Sequence, residues 1–559
     1  MNVETVHRIT GPHLLLPKTG AALWLTLDER DSWSAIKENL YQRIARASRD
    51  LPFGADIIEH HYTGGVALAL TAPPDLLYTA CAVLEWASSQ EGEEGELWAA
   101  IKHERLQEEK IHLRMLHQWA AERSIQAFDD EDGFTLGLGR HGKTWPLDAL
   151  PELETLSENQ FKNIPIAYIT GTNGKTTTTR MLARIAQEHG QAPGHTSSDG
   201  VVINGESIER GDWTGPGAAR MVLRHSAVDV ALLETARGGL MRRGLVLGEA
   251  DVAIVTNISA DHLGEWGLDN VERLADAKLV VARGLKAGGT LVVGSDCPIL
   301  TKALERLPET VRNAVTIRRF GTNEASTNNP NLDAWFNGNQ LVFKREDGET
   351  RIDVDEIPMS LGGIALHNIH NAAAAGLAAS SLGISFDDIY RGLKSLHPNP
   401  EDSRGRANLY HVEGKYVLLD FAHNPGGLKM MAELSRRFPS GDRFFLMGQA
   451  GDRSPELIQG LADAAVEIGL TGVVVKNLPG HAYERSPDEV ALSQVEALVR
   501  AGQPRSSIEH VADEVEAASR IIDLATPDSL TFLIGHENVD GIMSMLENRH
   551  AKLTNAPQS

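Results

Sequence analysis

Residues Ile164 to Arg180 read IPIAYITGTNGKTTTTR. The apolar, β-branched run from Ile164 to Ile169 predicts a buried strand, Gly171, Asn173 and Gly174 predict a tight turn, and a helix is expected from about Lys175. Such a strand–loop–helix junction turns several backbone N–H groups toward one point and adds the positive end of the helix dipole, which suits phosphate oxygens. Lys175 adds a mobile cation there, and Thr176 is placed to offer a hydroxyl to Mg²⁺. The spacing is shorter than G-x-x-x-x-G-K-[ST], because Gly171 lies too close to Gly174-Lys175-Thr176. A Gly turn with an incidental surface lysine is the plainer alternative.

Outward from this stretch, polar side chains recur at the ends of apolar runs. Val228 to Leu233 reads as a buried strand that delivers Glu234, followed by Thr235-Ala236-Arg237-Gly238-Gly239. Val252 to Thr256 leads into Asn257-Ile258-Ser259-Ala260-Asp261-His262. In an open α/β sheet, ligands bind beyond the carboxyl ends of the strands, so a carboxylate emerging there belongs beside the phosphate loop. Glu234 is thus a candidate magnesium ligand together with Thr176. Hydroxyl-rich Thr196-Ser197-Ser198-Asp199-Gly200 and the Asp212-Trp213-Thr214-Gly215-Pro216 turn follow the loop helix. An Ala-rich helix opens with His367-Asn368-Ile369-His370-Asn371 and runs through Ser381; Asn368 could cap it. Pro398 to Arg406 (PNPEDSRGR) forms a Pro- and Gly-containing linker, a natural hinge. Beyond it the strand Val417 to Leu419 ends in Asp420-Phe421-Ala422-His423-Asn424-Pro425, and strands at Phe444 to Met447, Gly472 to Val475 and Leu530 to Ile534 alternate with helices.

These motifs, in this order, resemble the Mur ligase family of ATP-dependent amide-bond-forming enzymes, in particular the C-terminal ligase half of the cyanophycin synthetases. The resemblance covers about Ile164 to Ile534. It implies nucleotide binding by Gly171, Thr172, Asn173, Gly174, Lys175, Thr176 and Thr177, adenine contacts from Asn371 with Asn368 beside it, and a phosphate contact from Arg406. Asp420 would hydrogen-bond the ribose, and His423 and Asn424 would face the nucleotide; Phe421 stands where the family has Tyr. Catalysis would rest on Lys175, Glu234, His262 and Lys278, with Mg²⁺ held by Thr176, Glu234, His262 and Lys278. Lys278, in Leu274-Ala275-Asp276-Ala277-Lys278, matches the family's carbamylated lysine and would become an oxygen ligand by taking up CO₂. An unmodified surface Lys278 and a structural His262 are the plainer alternatives.

The 559 residues suggest three or four domains. The expected division is an N-terminal α+β domain (1–157), a central P-loop-type domain with a mostly parallel sheet (158–397) and a C-terminal Rossmann-like α/β domain (398–559). A formal charge of −23 argues against a nucleic-acid partner. Only Cys81 and Cys297 occur, so neither a disulfide framework nor a Cys-rich zinc site is available. With no leader-like N-terminus and no long apolar run, a cytoplasmic protein without membrane contact is expected.

In the N-terminal region, Ala21 to Leu27 and Val66 to Leu70 read as strands, and Ser32 to Ala47 and Leu97 to Arg123 as helices. Glu91 to Glu96 and Asp129 to Asp132 read as solvated acidic runs, and His60-His61-Tyr62 lacks a further ligand at metal spacing. Short strands with Asn- and Gly-rich turns, among them Asn328-Asn329-Pro330, fill Arg312 to Asp355. Thr10-Gly11-Pro12-His13 and Leu136-Gly137-Leu138-Gly139 resemble segments that precede the ATP-grasp module of cyanophycin synthetases, a module not found between Gly139 and Ile164. The N-terminal region would serve docking or oligomer formation, and a separate ATP-grasp protein is a candidate partner. The expected activity is ADP-forming ligation of a carboxylate to an amine through an acyl phosphate, on amino acids or peptides. A non-catalytic ATP-binding subunit and a P-loop phosphotransferase are the competing readings.

Overall fold

The computed structural model describes the chain except residues 29, 50, 52–56, 90–93, 262, 323–330, 440 and 555–559. The start of the acidic run at Glu91, the candidate ligand His262 and the Asn328-Asn329-Pro330 turn therefore fall outside the described residues. Among the described residues the strands form sheets of four, three, eleven and seven strands. No described helix is long and apolar enough to cross a membrane.

The strand expected from Ile164 runs from Ile166 to Thr170, fully buried, and lies inside the eleven-stranded sheet between Val230–Glu234 and Ala250–Val255, parallel to both. Alternation explains why it reads as a continuous apolar run. Ala167 and Ile169 pack with the helices Lys175–Glu188 and Leu366–Ser381, whereas Ile166 and Tyr168 face the opposite core. Parallel strands make up the middle of the sheet and antiparallel hairpins form both edges. The seven-stranded C-terminal sheet places Ile508–His510, Gly472–Val475, Arg443–Met447, Leu530–Ile534 and Lys415–Asp420 in parallel, followed by antiparallel Asn408–Val412 and the edge strand Lys552–Leu553. The segments that follow Ile166–Thr170 and Ala250–Val255 meet those that follow Lys415–Asp420 and Arg443–Met447 across an interdomain cleft, joined by Asn173–Asn424 and Asp261–Arg453.

The helix expected over Leu97 to Arg123 is two helices, Glu94–Glu108 and Ile111–Ala121. The break has a tertiary cause. Asp75, itself buried, accepts the Lys110 N–H at 3.0 Å and Arg114 Nε and Nη2 at 3.0 and 2.9 Å, so Lys110 leaves helical geometry to reach it. Local periodicity carries no trace of a partner 35 residues upstream.

The N-terminal four-stranded sheet is antiparallel and buried on both faces. Ala21, Leu23, Leu25, Val66, Leu68 and Leu70 pack under the helices Trp33–Arg49 and Leu77–Ser88. The alternate residues Ala22, Trp24, Ala67 and Ala69 join the core of the eleven-stranded sheet. Two histidines sit in that seam. Burial lowers His7 to about 3 and His13 to about 4. Below the ordinary histidine range the unfolded chain binds protons that these folded rings refuse, so stability is full above about pH 6.5 and falls as pH drops toward 4. We expect the unfolding midpoint to fall over that interval, and His7→Phe to flatten the fall; an unchanged pH profile in that variant would contradict the assignment.

Candidate active site

The loop after Ile166–Thr170 is held by the neighbouring strand end. Thr172 N–H donates to the Asn257 carbonyl at 2.9 Å and Asn173 N–H to Asn257 Oδ1 at 3.0 Å. The Asn173 carbonyl accepts from Thr256 Oγ1 at 2.7 Å and Asn257 Nδ2 at 3.0 Å. Gly174, the residue before the helix, is left-handed (φ 82°), and a Cβ there would lie 2.3 Å from Asn371 Oδ1. Only glycine fits both demands.

Thr176 Oγ1 donates to Glu234 Oε2 at 2.8 Å and lies 3.1 Å from Ser198 Oγ. Glu234 is 2% exposed, and its Oε1 has no hydrogen-bond partner among the described residues. Burial raises its pKa, against the pull of the nearby Lys175 and Arg406. A buried carboxylate oxygen without a donor, next to a hydroxyl, is the kind of donor pair a hard cation completes. Among the described residues no group of three or more His, Cys, Asp or Glu gathers for a metal; Thr176 and Glu234 would hold Mg²⁺ with phosphate and water oxygens. Lys175 Nζ folds back on the Thr172 carbonyl at 3.0 Å. Lys278 is buried, donates to the Gly171 carbonyl at 2.7 Å, and is lowered to about 7 by burial and the Lys175 charge.

The other candidates fall on both sides of the cleft. Asn424 caps the helix Pro425–Arg437 and pairs with Asn173, each amide nitrogen donating to the other's oxygen at 3.1 and 3.0 Å. Arg406 donates to Ser198 Oγ at 3.0 Å and covers the Phe421 ring at 5.1 Å. Asp420 accepts the Ala407 N–H at 2.9 Å. His423 lies 3.9 Å from Asp261, which also receives Arg453 at 3.1 Å. Thr177 is buried in the first turn of the loop helix. Asn368 does not cap its helix, whose N-cap is Ala365 without a side-chain bond. Its amide instead donates to the Met359 carbonyl at 2.9 Å and accepts from Asn371 at 3.1 Å. Roles missing from the sequence reading belong to Asn257, which ties down the loop, to Arg180, which holds Asp199 at 2.8 Å, and to the Asp261–Arg453 bridge. Opposite charges at two strand ends were the available signal for that bridge.

The model of the Mur ligase middle domain matches residues 169–379, and that of the Mur ligase glutamate ligase domain matches residues 405–536. The chain belongs to the Mur ligase family. This Mur ligase family protein is 33% identical over 412 residues to cyanophycin synthetase of Geminocystis herdmanii, which covers 72% of the chain and 46% of that relative. It is 27% identical to UDP-N-acetylmuramoyl-L-alanyl-D-glutamate–2,6-diaminopimelate ligase of Lactiplantibacillus plantarum, over 66% of the chain and 73% of that protein. The chain spans about half the length of the cyanophycin synthetases it matches. Its fold is shared with MurF of Acinetobacter baumannii (TM-score 0.50, 19% identity, 69% of this chain and 76% of that one). It is also shared with Escherichia coli FolC in complex with DHPP and ADP (TM-score 0.50, 18% identity, 69% and 89%).

Proposed function

We propose that this Mur ligase family protein is an ATP-dependent, ADP-forming carboxylate–amine ligase that acts on amino acid or peptide substrates. The observation that carries the reading is the buried Thr176–Glu234 pair, with its unpartnered Glu234 oxygen, at the base of the Lys175 loop. A carboxylate is a poor acyl donor, and phosphorylation supplies a leaving group. A substrate carboxylate oxygen attacks the γ-phosphorus of ATP, and the bond to the bridging oxygen breaks to release ADP. The amine then attacks the acyl carbon, phosphate leaves, and the amine gives up a proton. Bound Mg²⁺ supplies charge neutralisation at the phosphoryl oxygens. Lys175 and the loop N–H groups steady the transferring group. Closure of the C-terminal domain (398–559) on the central one (158–397), through Asn173–Asn424 and Asp261–Arg453, excludes water from the acyl phosphate.

The support from kinship is that cyanophycin synthetase and the diaminopimelate ligase carry their activities in their names. A cytoplasmic setting, where ATP is supplied, is part of this proposal. The test is ADP release from Mg-ATP across a matrix of amino acids against aspartyl and glutamyl peptides, with mass spectrometry of every active well. Amine-dependent ADP with a mass gain of one condensed residue is expected. ADP release without an amide would move the assignment to phosphoryl transfer.

Lys278 is proposed to carry a carbamate. An amine lowered to about 7 is substantially neutral at physiological pH, so its nitrogen can add to CO₂ with loss of a proton. Protein incubated with ¹³C-bicarbonate should show a carbamate carbonyl resonance that Lys278→Ala lacks. Equal spectra would remove the modification from the account.

A further inference from the structure

We infer that the N-terminal four-stranded sheet is a positioning device for the catalytic cleft, acting through Trp266. This rests on the ligase reading for its kinetic consequence, but its structural part stands alone.

The described stretch at residues 259–261 and 263–270, which follows the strand Ala250–Val255, reaches two regions. At its start Ser259 N–H donates to Thr172 Oγ1 of the phosphate loop at 3.1 Å, and Asp261 holds Arg453 of the C-terminal domain. At its far end Trp266 enters an aromatic socket on the N-terminal sheet. Its ring meets His7 edge-on at 5.1 Å and Trp24 at 5.8 Å, and Trp24 is flanked by Tyr62 at 5.5 Å. Gly267 lies so close to Tyr62 that a Cβ would stand 2.6 Å from the ring. Trp266 itself is left-handed (φ 57°), a conformation a large side chain adopts only when its surroundings enforce it. The socket supplies that enforcement. Arg273 adds a second tether, donating to the His61 carbonyl at 3.1 Å.

Between the two ends, Glu265 accepts from Arg237 at 2.7 Å. Arg237 opens the short helix Arg237–Arg243 just after Glu234, and its charge acts on Lys278. The N-terminal region grips that helix from behind as well. Thr10 N–H donates to the Arg243 carbonyl at 2.9 Å, Leu245 N–H to the Pro12 carbonyl at 2.8 Å, and the His13 ring lies 2.9 Å from the Met241 carbonyl. Gly11 leaves no room for a side chain, since a Cβ would lie 2.2 Å from the Leu245 carbonyl oxygen. The N-terminal region thus holds both partners of the Glu265–Arg237 pair, one through the socket for Trp266 and one through residues 10–13, which leave the sheet after Ile9. Trp266 touches no reacting atom. It sets where Arg237 and Asp261 stand.

The test uses the full chain with Trp266→Ala, Trp266→Phe and Gly267→Ala. Hydrogen exchange of the ligand-free proteins should quicken about tenfold or more in residues 257–270 and also in residues 237–245 of Trp266→Ala, with the strand Gly472–Val475 unchanged. Faster exchange confined to residues 257–270 would overturn the proposal, because the loop would then not be coupled to the Arg237 helix. Gly267→Ala pushes the loop off Tyr62 without removing core atoms, and it must reproduce the pattern should Trp266→Ala fail to fold. In the ligase assay kcat should fall about tenfold or more with the KM for ATP within about twofold, and Trp266→Phe should recover most of the loss. A parent protein that forms no amide would count against the ligase reading alone, and the exchange data would still decide this one.

Discussion

Glu234→Gln is expected to raise the thermal stability of the ligand-free protein while lowering its Mg-ATP turnover by a factor of about 10²–10³. The two effects share one cause. Glu234 is buried with a single hydroxyl donor, so its charged form is held against the cost of desolvation, as its raised pKa records. An amide of the same shape removes that cost and can still accept from Thr176. It cannot supply the negative oxygen that draws a divalent cation to the base of the loop. Scanning calorimetry without Mg²⁺, paired with ADP release across a Mg²⁺ titration, checks both halves. A variant that is destabilised yet still turns over with the parent's Mg²⁺ dependence would show that Glu234 is structural.

Lys476→Met is expected to cost about 3–5 kcal/mol of stability, the penalty for leaving one partner of a buried ion pair uncompensated. Lys476 follows the strand Gly472–Val475 and is 1% exposed. Its ammonium binds Glu514 and the Ile534 carbonyl. Glu514 in turn accepts the N–H groups of His536 at 2.7 Å and Glu537 at 3.0 Å, together with that of Asn538. Burial works against both charges; the Glu514 carboxylate nonetheless drags Lys476 less far down than burial alone would, and Lys476 with these N–H groups keeps Glu514 below its ordinary range. Without the ammonium, a carboxylate would remain inside the sheet end that shapes residues 534–538. Urea unfolding should show the loss, and Lys476→Met combined with Glu514→Gln should recover part of it. A single variant within about 1 kcal/mol of the parent would contradict the pairing.

What the sequence disclosed followed chain distance. The strand Ile166–Thr170 and the helix from Lys175 are set by neighbours within one turn or one strand, and their limits were readable to within two residues. Glu234 and Asp420 could be placed at strand ends because apolar runs stop at them. The helix break at Lys110 was hidden, because Asp75 makes it. So were the Asn173–Asn424 contact across 251 residues and the aromatic socket around Trp266, which unites side chains from three separate segments. The alternative that Asn368 caps its helix fails because its amide is engaged by the Met359 carbonyl, from the turn before the helix.

The Asn173–Asn424 pair bears on how easily the two sides of the cleft separate. Each amide offers the other what water offers either of them, so separating the pair exchanges two bonds for two of equal kind. Such a clasp contributes at most about 1 kcal/mol per bond. Being uncharged, it is indifferent to salt and to proton concentration across the working range. Its share of the cost of parting the two sides therefore does not change with the medium, and any dependence on salt falls to the Asp261–Arg453 ion pair beside it.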